Sequence, residues 1–179
     1  MALDRTLAHG LIVATIGAGL TVRAVLHRPA RPGGDRSIAT LWAVMIVTPL
    51  LACLTPALAF ADYRFSRFVA IVGAASCLAC GSLYLRAHLD RARQSSHERW
   101  TANGTYARVR HPIDAALWIW TFAQALLVAN WIAGPAPLVA FAVLHVVRVR
   151  REEASMLARF GIAYRDYMSR TDRLLPGVW

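Results

Sequence analysis

The chain has 179 residues, is 57% hydrophobic and carries a formal charge of +10, and its mean hydropathy is +0.42. That apolar excess over an ordinary soluble domain points to membrane insertion. All 20 Lys+Arg residues are Arg, which excludes a P-loop lysine and a Schiff-base lysine, and they sort by loop rather than into a nucleic-acid-binding patch.

Five segments are apolar enough to be read as bilayer spans: 7–26, 38–61, 68–85, 113–131 and 132–147. The first is read as a span rather than a signal peptide. It lacks a basic start, and the following HRPARPGGDRS is not a convincing cleavage region. Cys53, Cys77 and Cys80 all fall inside predicted spans. The Cys77–Cys80 spacing matches CxxC, but no polar partners accompany it, so these are small packing residues. The fourth and fifth spans meet at IAGPAP and form a helical hairpin, the fifth needing its extension past Val147 to span. That extension, 148–160, carries an amphipathic stripe of Val149, Glu153, Met156 and Phe160, which Glu153 interrupts with a charge. Gly161 stops it, and a second short helix over 162–169 presents Tyr164 and Tyr167.

The arginine count by loop orients the chain. Three lie in 27–37 (Arg28, Arg31, Arg36), six between 86 and 112, and seven from Arg148 onward. The opposite side receives Arg5, Arg64 and Arg67. The predicted topology therefore has the N-terminus outside, with the 86–112 loop and the C-terminal tail cytoplasmic. These two polar blocks total 59 residues, too few for an independent catalytic domain. The chain is treated as one domain, 1–179, with three N-terminal spans (1–85) followed by a chemistry-bearing part (86–179). The predicted fold class is all-α: a membrane bundle with cytoplasmic C-terminal amphipathic helices.

Candidate chemistry begins at YARVRHPIDAALW, residues 106–118. Pro112 suits the first position of a helix, whose free N–H groups and dipole favour an anion. Arg108, Arg110 and His111 add cations there. The same cluster also reads as a positive-inside anchor, and Asp114 at the third helical position as a complement to the dipole. Further along this helix, Asp114, Thr121 and Gln124 share roughly one face, where polar groups turn toward a bundle interior or cavity. Asn130 and Trp131 close the helix at the far interface. On the fifth helix His145, Arg148 and Glu152 fall at i, i+3 and i+7 on one face, with Glu153 beside them. Two adjacent glutamates at a cationic mouth suit a zwitterion; a solvated helical face and an interfacial histidine are the plain alternatives.

Taken together, GTYARVRHPIDAALW (104–118), NW (130–131) and RVRREEASMLARFGIAYRDYMSRTDRLLPG (148–177) resemble the isoprenylcysteine carboxyl methyltransferase family of integral membrane enzymes. The family pattern is G-x-Y-x-x-x-R-H-P-x-Y, a helical hairpin, R-x-x-x-E-E, F-G-x-x-Y-x-x-Y and an R-L-x-P ending. The resemblance covers about 75 residues, 104–178; the first three spans match only in hydropathy.

That resemblance implies S-adenosylmethionine as cofactor and a lipophilic small-molecule or lipidated acceptor, with no metal. Carried over position by position, it implies that Tyr106, Arg108, Val109, Arg110, His111 and Pro112 line the cofactor site. Leu117 would face the adenine, Glu152 and Glu153 the amino or ribose end, and Arg148 the reacting groups. The chain departs from the pattern twice. Asp114 stands where the family has Tyr, so it is expected either to favour the sulfonium or to take a proton from the nucleophile, and to repel a carboxylate acceptor. The preceding RAHLDRARQSSHERWTAN also lacks the family's L-G-x-x-W-S. Two further readings stay open: an NADPH-dependent membrane reductase, because the C-terminal part of membrane sterol reductases looks similar, and a non-catalytic scaffold of the same fold.

Overall fold

A computed structural model describes residues 2–26, 36–64, 66–94, 102–174 and 177. Arg28, Arg31 and Arg99, which enter the charge argument above, lie outside the described residues, as do 95–98, 100–101 and 175–176. The described residues are all-α, without strands. Six helices run α1 (Ala2–Leu26), α2 (Arg36–Leu54), α3 (Arg67–Gln94), α4 (Pro112–Leu127), α5 (Pro135–Phe160) and α6 (Ile162–Arg170). Short 3-10 turns occupy Pro56–Ala61 and Gly104–Ala107.

The helix ends follow local chemistry. The apolar run 38–61 does not continue as one helix. Pro56 has no N–H to give to the preceding turn, and the Thr55 hydroxyl accepts from Ala57 N at 3.3 Å, starting the 3-10 turn instead. α3 runs nine residues beyond the apolar segment ending at Leu85, because its polar end still contains no Gly or Pro to stop it. α4 opens on Pro112 as expected and stops at Leu127, before Ala129 at φ 51.

Two helices, over Arg5–Val25 and Arg67–Arg93, are long and apolar enough to cross a membrane, with only 17% of each apolar window buried in the bundle. Ala39–Leu54 and Pro112–Leu127 are apolar but shorter. α5, at 26 residues, is one residue longer than α1, yet it carries Arg148, Arg150, Arg151, Glu152 and Glu153 in its second half.

α4 is the central element. It packs closely along α3, where a Cβ on Gly73 would lie 2.7 Å from Leu127 Cγ, so glycine sets the approach. One apolar core joins Ala8, Ile12 and Ile16 of α1 to Cys77, Ala123, Leu127 and Val128. A second joins Met45 of α2, Ala87 of α3, Ile113 and Leu117 of α4, and Ala140, Phe141 and Leu144 of α5. The far end of the hairpin is locked by Asn130, 1% exposed. Its amide nitrogen donates to Leu58 O (2.7 Å) and Asp62 Oδ1 (2.8 Å). Its amide oxygen accepts from Ile132 N (3.0 Å) and Ala133 N (2.8 Å). Asp62 is held in turn by Arg5 at 2.7 Å. Asn130 is thus a structural clasp for the turn, while the Trp131 side chain beside it is largely exposed.

Candidate functional site

The polar residues of the 104–114 segment, the middle of α5 and the C-terminal segment converge on one region. Gly104 makes this possible at φ +61, a conformation where a Cβ would sit 2.3 Å from Asp90 Oδ2. That Asp90 carboxylate, near the end of α3, accepts from Thr105 N (2.8 Å) and Thr105 Oγ1 (2.9 Å), anchoring the loop.

The first cluster centres on Glu153. Its Oε1 accepts from Arg110 Nε at 3.1 Å and lies 3.3 Å from His111 Nε2; its Oε2 accepts from Arg173 Nη2 at 3.0 Å. Arg110 also donates through Nη1 to the carbonyls of Met168 and Thr171, both at 2.6 Å. The backbone closes the same seam, with Arg110 N donating to Asp172 O and His111 N to Arg173 O. Val109 is buried and bridges Asp172. Tyr167 donates its hydroxyl to the Tyr106 carbonyl at 2.7 Å. Burial pushes the Glu153 carboxyl up, but hydrogen bonds from His111 and Arg173 and the charges of Arg173 and Arg110 outweigh it and hold the group below its ordinary value. Burial pushes the Tyr106 and Tyr164 phenols up to about 12, so both stay protonated.

The second cluster centres on Asp114, 1% exposed. Its Oδ1 accepts from Arg148 Nη2 at 2.8 Å, and its Oδ2 lies 3.1 Å from His145 Nδ1. Arg148 reaches on to Glu152 at 3.6 Å, and Arg91 of α3 faces the same carboxylate at 3.7 Å. His145 rests between the rings of Trp118 and Phe141, with centroids 5.9 Å from each.

The sequence-derived residues therefore fall into three groups. Arg110, His111 and Glu153 touch one another, with Val109 and Pro112 buried beside them and Tyr106 tied in through Tyr167. Asp114, Arg148 and Glu152 form the second group. Leu117 stands one turn deeper, in the wall of an apolar cavity of about 410 Å³. That cavity is bounded by α1, α2, α3 and α4, with Ile16, Trp42, Cys80, Tyr84 and Trp120 among its lining residues and Arg23 standing over Trp42 at 5.1 Å. Arg108 is exposed and makes no ion pair among the described residues.

The sequence placed His145 on one face with Arg148 and Glu152, at i, i+3 and i+7, but assigned it no site role against the interfacial alternative, and it assigned Arg173 and Arg91 no role of their own. Arg173 stands in the R-L-x-P ending of the matched pattern, but nothing there pointed to Glu153, and Arg91 had no signal beyond charge; both reach their glutamates from other elements.

No protein-family model matches the chain. The protein-S-isoprenylcysteine O-methyltransferase of Tribolium castaneum is similar, at 28% identity over 91 residues. The match covers 51% of this chain and 32% of that protein, so the chain spans about a third of the length of the curated relative it matches.

Proposed function

We propose that the chain is a membrane-embedded S-adenosylmethionine-dependent methyltransferase acting on a lipophilic acceptor. The observation that carries this reading is the convergence of three separated blocks. Residues 104–114, 145–153 and 164–173 make one site at one end of the bundle, and all but 145–147 fall within the segments that resemble the methyltransferase pattern. The distant similarity to an isoprenylcysteine O-methyltransferase points the same way.

The bundle crosses the membrane five times, with the N-terminus outside and the site on the cytoplasmic side. Contact with lipid is supported by the large outward apolar side chains, for Leu20, Phe68, Ile71, Leu78, Val139 and Val146 are all exposed, a surface costly in water and natural against lipid. The number of crossings and their orientation rest on the apolar segments and the arginine count by loop. α2, α4 and the apolar half of α5 are the shorter spans.

The donor set fits a zwitterionic sulfonium cofactor. Glu152 is half-buried, and its cationic neighbours stand at 3.6 and 3.7 Å, outside direct hydrogen-bond range, so its oxygens keep capacity for an ammonium or ribose hydroxyl. Arg108 offers a cation to a carboxylate. Trp118 Nε1 is buried with no acceptor among the described residues, a free donor beside the cluster. Tyr106, Val109, Arg110, His111 and Pro112 form the wall; Glu153 keeps that wall in place by holding Arg110 and His111. Leu117 separates this wall from the apolar cavity, which takes the acceptor's lipophilic tail.

The bound cofactor supplies an electrophilic methyl group on a positive sulfur. The protein's task is alignment in a dry site: Arg148 and Asp114 fix the charges around the reacting groups, and the cavity presents the nucleophile from the lipid side. Incubating the protein with methyl-labelled S-adenosylmethionine and a native lipid extract is expected to yield a labelled, lipid-soluble product identifiable by mass. Cofactor binding without any labelled product would leave a scaffold rather than an enzyme.

A further inference from the structure

The Asp114 carboxylate has both oxygens occupied, by Arg148 at 2.8 Å and His145 at 3.1 Å, and it is almost fully enclosed. A carboxylate paired with a guanidinium only accepts hydrogen bonds, so His145 Nδ1 must be the donor. In the neutral imidazole this places the basic lone pair on Nε2. No described residue hydrogen-bonds Nε2. The side chain is 13% exposed, accessible yet largely dry. Two aromatic neighbours, Trp118 from α4 and Phe141 one turn earlier on α5, restrict the ring. Leu117, three residues beyond Asp114 on the same face of α4, packs in one core cluster with Phe141 and also lines the apolar cavity. The charged groups bearing on the ring are Asp114 from α4 and Arg148 from its own helix.

We propose that His145, oriented by Asp114, is the general base of the reaction, and that the acceptor is a lipophilic molecule bearing a dissociable proton, a thiol or a phenol, rather than a carboxylate. This rests on the methyltransferase reading and names its substrate class. The acceptor's S–H or O–H proton passes to His145 Nε2. The freed electron pair forms the bond to the methyl carbon as the carbon–sulfur bond to the sulfonium breaks, its electron pair remaining on the sulfur of the departing thioether. The proton on His145 then leaves to solvent. Asp114 is the positioning residue: its oxygens are engaged and its charge is balanced by Arg148, which makes it a poor base but a firm holder of the imidazole. A carboxylate acceptor needs no base, and it would compete with Asp114 for Arg148.

Three probes of matched chain length separate the cases: an alkyl thiol, an alkyl phenol and an alkyl carboxylate. The purified full chain is expected to methylate the first two. His145→Gln is expected to lower those rates by roughly 100-fold or more, with calorimetric affinity for S-adenosylmethionine unchanged, and imidazole is expected to restore part of the rate in His145→Gly. A readout independent of turnover is the nitrogen-15 NMR signature of the ring in the ligand-free protein. Nε2 is expected to be pyridine-like, and Asp114→Asn to shift the tautomer balance. Full rates in His145→Gln, methylation of the carboxylate alone, or a pyridine-like Nδ1 would each overturn the dyad while cofactor binding stands. Absence of cofactor binding by the unaltered protein would instead overturn the reading beneath it.

Discussion

Replacing Glu153 with alanine is expected to destabilise the fold by about 3–5 kcal/mol, the cost of removing one partner from a buried charge cluster. The side chain is 7% exposed and carries Arg110, His111 and Arg173 together. It is the charge-neutralising link between two segments otherwise joined by a short backbone seam, the Arg110 bonds to the Met168 and Thr171 carbonyls and the Tyr167–Tyr106 bond. Without it, Arg110 keeps its bonds to Met168 and Thr171 but loses its counter-charge. Glu153→Gln keeps one acceptor and is expected to fall between alanine and the native residue. Equilibrium unfolding in mixed detergent micelles measures both. A pH dependence accompanies the effect. The folded carboxyl titrates below its ordinary value of 4.5. Its stabilisation is therefore fully present above that value and is lost as pH falls through the lower folded one. Glu153→Ala is expected to remove this acid-side loss. An alanine variant as stable as the native chain, with the same acid profile, would show that the seam holds without the charge.

The second large effect separates stability from chemistry at Asp114. Arg148→Met leaves a carboxylate that is 1% exposed with only His145 as partner, and is expected to cost about 2–4 kcal/mol. Adding Asp114→Leu removes the orphaned charge and fills its volume with apolar atoms. Such paired replacement is often neutral, so the double variant is expected to regain most of the stability. It is expected to remain inactive, because the group that holds His145 is gone. A double variant that regains both stability and methyl transfer would reduce the cluster to a packing device.

The helices were legible where apolar runs end on strong punctuation. Pro112 opens α4 and Gly161 ends α5 as their chemistry requires. The break at Thr55–Pro56 was hidden because the residues after it stay apolar, and hydropathy averages over a turn that a single missing N–H decides. The helical end of α3 was hidden for the opposite reason: 86–94 is polar, so it reads as loop although nothing in it stops a helix. At the site, residue types and their grouping near 104–118 and 145–153 were readable. Pairings were not. Glu153 meets Arg110 across 43 residues and Asp114 meets Arg148 across 34, and spacing within a helix carries no information about either. Asp114 read as a dipole partner for its own helix, whereas its carboxylate turns to α5. Asn130 read as an interface residue, whereas its amide closes the turn.

Calorimetric titration of the purified protein with S-adenosylmethionine, its demethylated product and NADPH asks whether the site takes the methyl-donor cofactor. The first two are expected to bind and the third not to, with Glu152→Ala weakening cofactor binding by about 10–100-fold, as loss of a hydrogen bond to a charged group implies. No binding of S-adenosylmethionine, or binding of NADPH alone, would contradict the methyltransferase reading.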